Sequence, residues 1–196
     1  MELSPAQSRR ETLTAQPDGR PRFLERSGDG RIGVAQRGAT YGVFAREAIE
    51  DGAILMTIDG AFVDRPSRYS IQIEEHVHVD LPLGEGPTAD PDRHPWRYLN
   101  HSCDPNAAFV GVRLIATRPI GPEEEVTYDY NTTEYDMAAP FTCRCGTCGG
   151  GLVRGFRHLP ARRRLDLFPR LAEHLRRRMN NNLGTLPSFP GDRDAK

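Results

Sequence analysis

Four cysteines restrict the fold of this 196-residue chain more than any other feature. Three of them stand together in Cys143-Arg144-Cys145-Gly146-Thr147-Cys148. The fourth, Cys103, lies much earlier, inside Asn100-His101-Ser102-Cys103-Asp104-Pro105-Asn106. A glycine-containing knuckle can offer three thiolates to a tetrahedral zinc ion, and the fourth ligand would then come from Cys103. In that arrangement the metal staples the C-terminal part of the chain to the Asn-His-Ser turn. Two disulfides, or four unrelated thiols, would use the same residues. Residues 1–10 are polar and lack the apolar segment of a signal peptide, so a reducing, cytoplasmic setting is expected. There a compact cysteine cluster more often binds metal than forms disulfides.

The length suits one domain with a real core plus tails. A formal charge of -1 gives no case for general nucleic-acid binding, and no apolar run is long enough to span a bilayer. Nucleic-acid and membrane partners are therefore not expected. Sixteen prolines and nineteen glycines favour turns and short strands over a helical bundle. Lys196 is the only lysine, every other cationic side chain of the Lys/Arg set being arginine. That bias suggests a GC-rich, bacterial genome. It also means that any lysine chemistry done by this protein cannot be done on its own core.

Residues 1–27 read as a polar, loosely packed lead-in. Short β-type runs follow at Ile32-Gly33-Val34-Ala35, Tyr41-Gly42-Val43-Phe44-Ala45 and Ala53-Ile54-Leu55-Met56-Thr57-Ile58. Tyr69-Ser70-Ile71-Gln72-Ile73 and His76-Val77-His78-Val79-Asp80-Leu81 alternate with period two. Residues 82–95 read as a loop, and 110–117 and 125–130 as the last strands. Residues 162–180 read as a helix broken near Pro169. The expected class is mainly β with an arginine-rich helical tail, whose Leu165, Phe168, Leu171, Leu175 and Met179 would lie on the domain. His76, His78 and His94 read as exposed strand or loop residues rather than ligands.

Three ordered segments match one known pattern. Asn100-His101-Ser102-Cys103-Asp104-Pro105-Asn106, Glu123-Glu124-Glu125-Val126-Thr127-Tyr128-Asp129-Tyr130 and the Cys143–Cys148 cluster together resemble the SET-domain methyltransferases, over residues 30–158. The resemblance implies a β-clip of short strands with a pseudoknot, a zinc-binding post-SET segment and a C-terminal helix. It divides the chain into a lead-in (1–27), a catalytic domain (28–137), a post-SET segment (138–160) and a basic tail (161–196). Two departures stand out. Thr40 precedes Tyr41-Gly42 where the family has a first glycine, and two residues rather than four separate Cys145 from Cys148.

The resemblance also implies roles. S-adenosyl-L-methionine would be the co-substrate, and one structural Zn2+ would be held by Cys103, Cys143, Cys145 and Cys148. Tyr130 would be the catalytic tyrosine, Tyr128 the residue that limits the number of methyl groups added, and Tyr69 a wall of the amine channel. Tyr41, Gly42, Phe44, Asn100, His101 and Tyr130 would bind the cofactor. Set against these roles, Tyr130 could be a packed strand aromatic, Asn100-His101 an Asx-turn with a buried ring, and Tyr69 a core residue. Methyl transfer to an amine needs alignment, exclusion of water and a neutral acceptor. The acceptor is expected to be a lysine of a protein or peptide. A free amino acid or other small amine is the second reading, and a silent module with an aromatic pocket is the third.

Overall fold

A computed structural model describes residues 19–24, 30–85 and 90–183 of the chain. The expected lead-in falls largely outside them, yet Arg22–Phe23 is already a strand (β1). Six strands follow: Ile32–Arg37 (β2), Thr40–Ala45 (β3), Ile54–Thr57 (β4), Ala61–Val63 (β5), Ile71–Glu74 (β6) and Val77–Asp80 (β7). Beyond a loop come Asn100–His101 (β8), Ala107–Val110 (β9), Arg113–Ala116 (β10), Glu125–Tyr128 (β11), Phe141–Thr142 (β12) and Leu152–Val153 (β13). Two α-helices, Ala161–Leu167 (α1) and Glu173–Leu183 (α2), end the described chain, which is mainly β.

The apolar runs explain the layers. Ile32, Val34 and Ala35 of β2 are all buried, as are Val43, Phe44 and Ala45 of β3. Both faces of these strands are covered, so the sequence runs apolar instead of alternating. They sit inside a sheet of order β1-β2-β3-β11-β8. Smaller sheets, β4-β10-β9 and β5-β7-β6, and the β12-β13 pair surround it.

The pairing of β8 with β11 decides the site. It is parallel, with Thr127 opposite Asn100 and Tyr128 opposite His101. The two motifs are thereby placed side by side. Asn106 rivets them: its side chain accepts from Thr127 N at 2.9 Å and donates to the Glu125 carbonyl at 2.8 Å. A buried amide used in this way substitutes for a missing strand neighbour, and satisfies backbone groups that water cannot reach.

Three expectations from the sequence are corrected. The single strand over 110–117 is instead a hairpin, because Gly111 turns the chain at φ +60° between β9 and β10. The last strand stops at Tyr128: Asp129 accepts from Asn131 N at 3.0 Å and starts a 3-10 turn at Tyr130. His78 and His94 are buried, and His94 Nε2 lies 2.8 Å from Glu85. The tail helix breaks where the sequence placed the break, at a 3-10 turn over Phe168–Arg170, where Pro169 removes a backbone donor.

The tail builds a second core. Phe156, Leu167, Leu171, Leu175 and Met179 pack together, with Tyr135 and Phe168 against them, whereas Leu165 is exposed. Two of its arginines reach back to the sheets. Arg177 and Arg178 pair with Glu74 and Glu75 at the turn between β6 and β7. Leu175 has no exposed surface. Leu175→Ala is therefore expected to cost about 2–5 kcal/mol in urea unfolding, against at most about 0.5 kcal/mol for Leu165→Ala. Equal costs would mean that α2 does not rest on this core.

Candidate active site

The site begins with a close approach at β3. Asn100 Nδ2 donates to the Tyr41 carbonyl and to Glu125 Oε1, each at 2.7 Å. A β-carbon at Gly42 would stand 2.5 Å from Glu125 Oε1 and 3.1 Å from Asn100 Nδ2. Glycine is required there so that these side chains can cross the strand. Tyr41 turns its ring edge toward Tyr98, at 6.3 Å between centroids. Phe44 was expected near the cofactor but is fully buried, with the Arg37 guanidinium 4.4 Å over its ring. An inward-facing strand position cannot also face the cleft.

His101, Tyr128 and Tyr130 form an aromatic group. Tyr130 lies 4.8 Å from Tyr128 and 5.3 Å from His101 between ring centroids. His101 Nδ1 accepts from Tyr130 N at 3.2 Å, so the ring proton sits on Nε2, which is 3.2 Å from Cys103 Sγ. Tyr130 Oη donates to the Leu99 carbonyl at 2.6 Å. Burial pushes both phenols well above their ordinary values, so both stay neutral at physiological pH. With its proton committed to Leu99, Tyr130 Oη offers only lone pairs to a bound group.

Two cavities meet at Tyr130. A cleft of about 920 Å³ is lined by Thr40, Asn100, His101, Glu125, Tyr130 and Phe141 among others. A narrow pocket of about 50 Å³ is walled by Tyr69, Trp96, Leu99, Tyr128 and Tyr130, with Glu134 also lining it. The cleft is large enough for a nucleoside-sized ligand, while the pocket suits a few atoms. Tyr69, half-exposed, also borders both spaces, with Arg97 4.2 Å over its ring.

The four cysteines do meet. Their sulfurs all lie within 4.8 Å of one another, with Cys103 3.8 Å from Cys143 and Cys145 3.9 Å from Cys148. Disulfide sulfurs lie about 2.0 Å apart, so these four are free thiols. An ion with metal–sulfur bonds of about 2.3 Å has a tetrahedral edge of about 3.8 Å, and the cluster fits it. Burial, and hydrogen bonds with the other thiols, push Cys103 well above its ordinary value. A bound cation reverses that preference by favouring the thiolates. Cys145 N, donating to Cys143 Sγ at 3.4 Å, supports the knuckle.

Two contributors carry no local signal. Arg163 of α1 reaches back to the buried Asp129 Oδ2 at 3.2 Å and to the Cys103 carbonyl at 3.1 Å, tying both motifs to the tail. Glu134 is buried beside Tyr128 and Tyr130. Nothing in their sequence neighbourhood marks either one; a charged residue next to the tyrosine motif was the only available hint.

Residues 40–131 match the family model of the SET domain. The chain carries a SET domain. Its two motif strands and their tyrosines fall inside the match, while the cysteine knuckle and the helical tail lie beyond it. The methyltransferase flvH of Aspergillus flavus is 39% identical over 69 residues, covering 33% of this chain and 39% of that protein. The histone-lysine N-methyltransferase ash1 of Drosophila melanogaster is 30% identical over 150 residues, covering 67% of this chain and 7% of that protein. The chain thus spans well under half the length of these curated relatives. The methyltransferase domain of human SETMAR superposes with a TM-score of 0.40 at 24% identity, over 55% of this chain and 51% of that one. These relatives are eukaryotic, so they do not bear out the bacterial origin suggested by the arginine bias.

Proposed function

We propose that this chain is an S-adenosyl-L-methionine-dependent N-methyltransferase acting on a lysine amine of a protein or peptide. The observation that carries this reading is the position of Tyr130 between a nucleoside-sized cleft and a narrow aromatic pocket. The SET-domain match and relatives named as methyltransferases and histone-lysine N-methyltransferases support it. When bound, S-adenosylmethionine supplies an electrophilic methyl group on a positively charged sulfur. Asn100, His101 and Glu125 would hold its polar groups in the cleft. Tyr69, Tyr128 and Tyr130 would sheath the lysine stem, exclude water and present the nitrogen to the cleft. Tyr130 Oη, its proton given to Leu99, accepts a hydrogen bond from the amine and orients the remaining lone pair.

Zinc is the metal proposed for Cys103, Cys143, Cys145 and Cys148, since four thiolates in a tetrahedral set suit it. A reducing compartment goes with that assignment. Its part is structural: it fixes the segment that forms one wall of the cleft.

The test is transfer of isotope label from S-adenosylmethionine into a lysine-rich protein pool and, separately, into free amino acids. Label in protein lysines is the expected result. Label confined to free amino acids would make the acceptor a small molecule, and bound cofactor with no transfer would leave a silent module. Tyr128 is buried against the amine pocket, where a hydroxyl occupies the space of a further methyl group. Mono- and dimethyl products are expected, and Tyr128→Phe should shift intact-mass spectra toward trimethyllysine. A dominant trimethyl product from the unaltered protein would sink this assignment.

A further inference from the structure

The narrow pocket contains one carboxyl among its lining residues, Glu134. The residue is 5% exposed and follows the 3-10 turn that begins at Tyr130. Its backbone is fixed on both sides, by Glu134 N donating to Tyr130 O at 2.9 Å and by Phe156 N donating to its carbonyl at 2.8 Å. The carboxyl is fixed as well. Oε1 accepts from Gln72 N at 2.7 Å and from Thr133 Oγ1 at 3.4 Å, and the Gln72 side chain in turn accepts from Tyr135 N at 2.8 Å. Both of these hydrogen bonds fall on Oε1, so Oε2 takes part in neither, and the residue lines the pocket.

We propose that Glu134 is a catalytic residue that receives the substrate ammonium in the pocket and takes its proton. This rests on the methyltransferase reading above. A lysine reaches the pocket charged, and only the neutral amine has a lone pair for methyl transfer. The walls cannot remove the proton, because Tyr128 and Tyr130 are neutral phenols whose burial resists ionisation. At Glu134 one ammonium N–H bond breaks, one O–H bond forms on Oε2, and the electron pair stays on nitrogen. The cation and the carboxylate cancel, so no net charge is left in the pocket.

The surroundings suit that task. Burial pushes the Glu134 carboxyl up to about 7, against hydrogen bonds from Gln72 and Thr133 that oppose the shift. An acid at that level is ionised just above neutrality and can still hold a proton once it arrives. The other ionisable groups nearby are Tyr69, Tyr128, Tyr130, Arg68 and Arg97, lining the same pocket, and His174 of α2, bonded to the Thr133 carbonyl at 2.9 Å. Both arginines pack on the Tyr69 ring at the pocket mouth.

Two cofactor analogues test the assignment without knowledge of the acceptor. Sinefungin carries an amine where S-adenosylmethionine carries its methyl-sulfonium, whereas S-adenosylhomocysteine carries a neutral sulfur. Calorimetry at pH 8.5 is expected to show sinefungin binding about tenfold more weakly to Glu134→Gln than to the unaltered protein. S-adenosylhomocysteine should bind both alike, which also verifies that the variant is folded. The sinefungin difference should fade as pH falls through 7, because a protonated Glu134 is as neutral as glutamine. Glu134→Asp, which keeps the charge, should keep the pH-dependent preference. Turnover of Glu134→Gln should be most impaired at pH 7 and recover toward pH 10, where the amine arrives deprotonated; a purely structural defect would be uniform in pH. Equal sinefungin affinity in protein and Gln variant, with S-adenosylhomocysteine bound, would overturn the role of Glu134 and leave the methyltransferase reading intact. Failure of the unaltered protein to bind either analogue would overturn both.

Discussion

Chelating the zinc proposed for the four cysteines is expected to abolish methyl transfer while most of the β structure survives. Phe141, Thr142, Arg144 and Cys145 line the cleft, and they belong to a segment whose only strand pairing is the two-residue ladder of β12 with β13. Such a ladder is too short to stand alone. The cysteine cluster brings it against Cys103, and through the His101 ring to Tyr130. A structural zinc site contributes on the order of 10 kcal/mol, so its loss releases this wall outright. The main core is drawn from residues up to Tyr130 and needs no part of the knuckle. Far-ultraviolet circular dichroism should therefore change little, while turnover falls by at least about a hundredfold, as misplacement by an ångström can produce. Cys143→Ser should behave in the same way, and elemental analysis should show close to one zinc per chain before chelation. Undiminished transfer by metal-free protein would refute the structural role.

Tyr130→Phe carries the second large effect. Removing the hydroxyl takes away the acceptor proposed to orient the amine, and an expected loss of about a hundredfold in kcat follows. Cofactor affinity should stay within about twofold, since the ring and its contacts with Tyr128, His101 and Phe141 remain. The Leu99 carbonyl loses a 2.6 Å hydrogen bond, costing about 1 kcal/mol in thermal unfolding because the pocket can admit water. Wild-type turnover in the Phe variant would remove Tyr130 from the mechanism. A matching loss of cofactor binding would make its role one of packing.

Much was legible in the chain because the signals are local or additive. Alternation located β6 and β7, and Pro169 located the break in the tail. The order Asn-His-Ser-Cys, Thr-Tyr-Asp-Tyr and Cys-x-Cys-x-x-Cys pointed to the residues that border the cleft and cluster the thiols. Residue types at short spacing declare such features, since backbone preference and ligand chemistry act over a few positions.

Other features depended on neighbours far away in the chain. Whether Cys103 reaches the knuckle is set by the parallel pairing of β8 with β11 and by the chain returning past it. His78 and His94 turned out buried because helix α2 and the loop with Glu85 cover them, and a single histidine does not advertise that. Arg163 reads as one more tail cation until Asp129 and the Cys103 carbonyl are seen beneath it. The same holds for Phe44, whose place in the motif suggested the cleft but whose side of the strand is the core. Sequence alone determined the chemistry on offer: thiols for a metal, tyrosines for a channel, an amide for a cofactor. Tertiary structure decided which groups are deprived of water, and Glu134 shows why that matters, because an exposed glutamate is an ordinary surface charge and a buried one in an aromatic pocket can exchange a proton near neutrality.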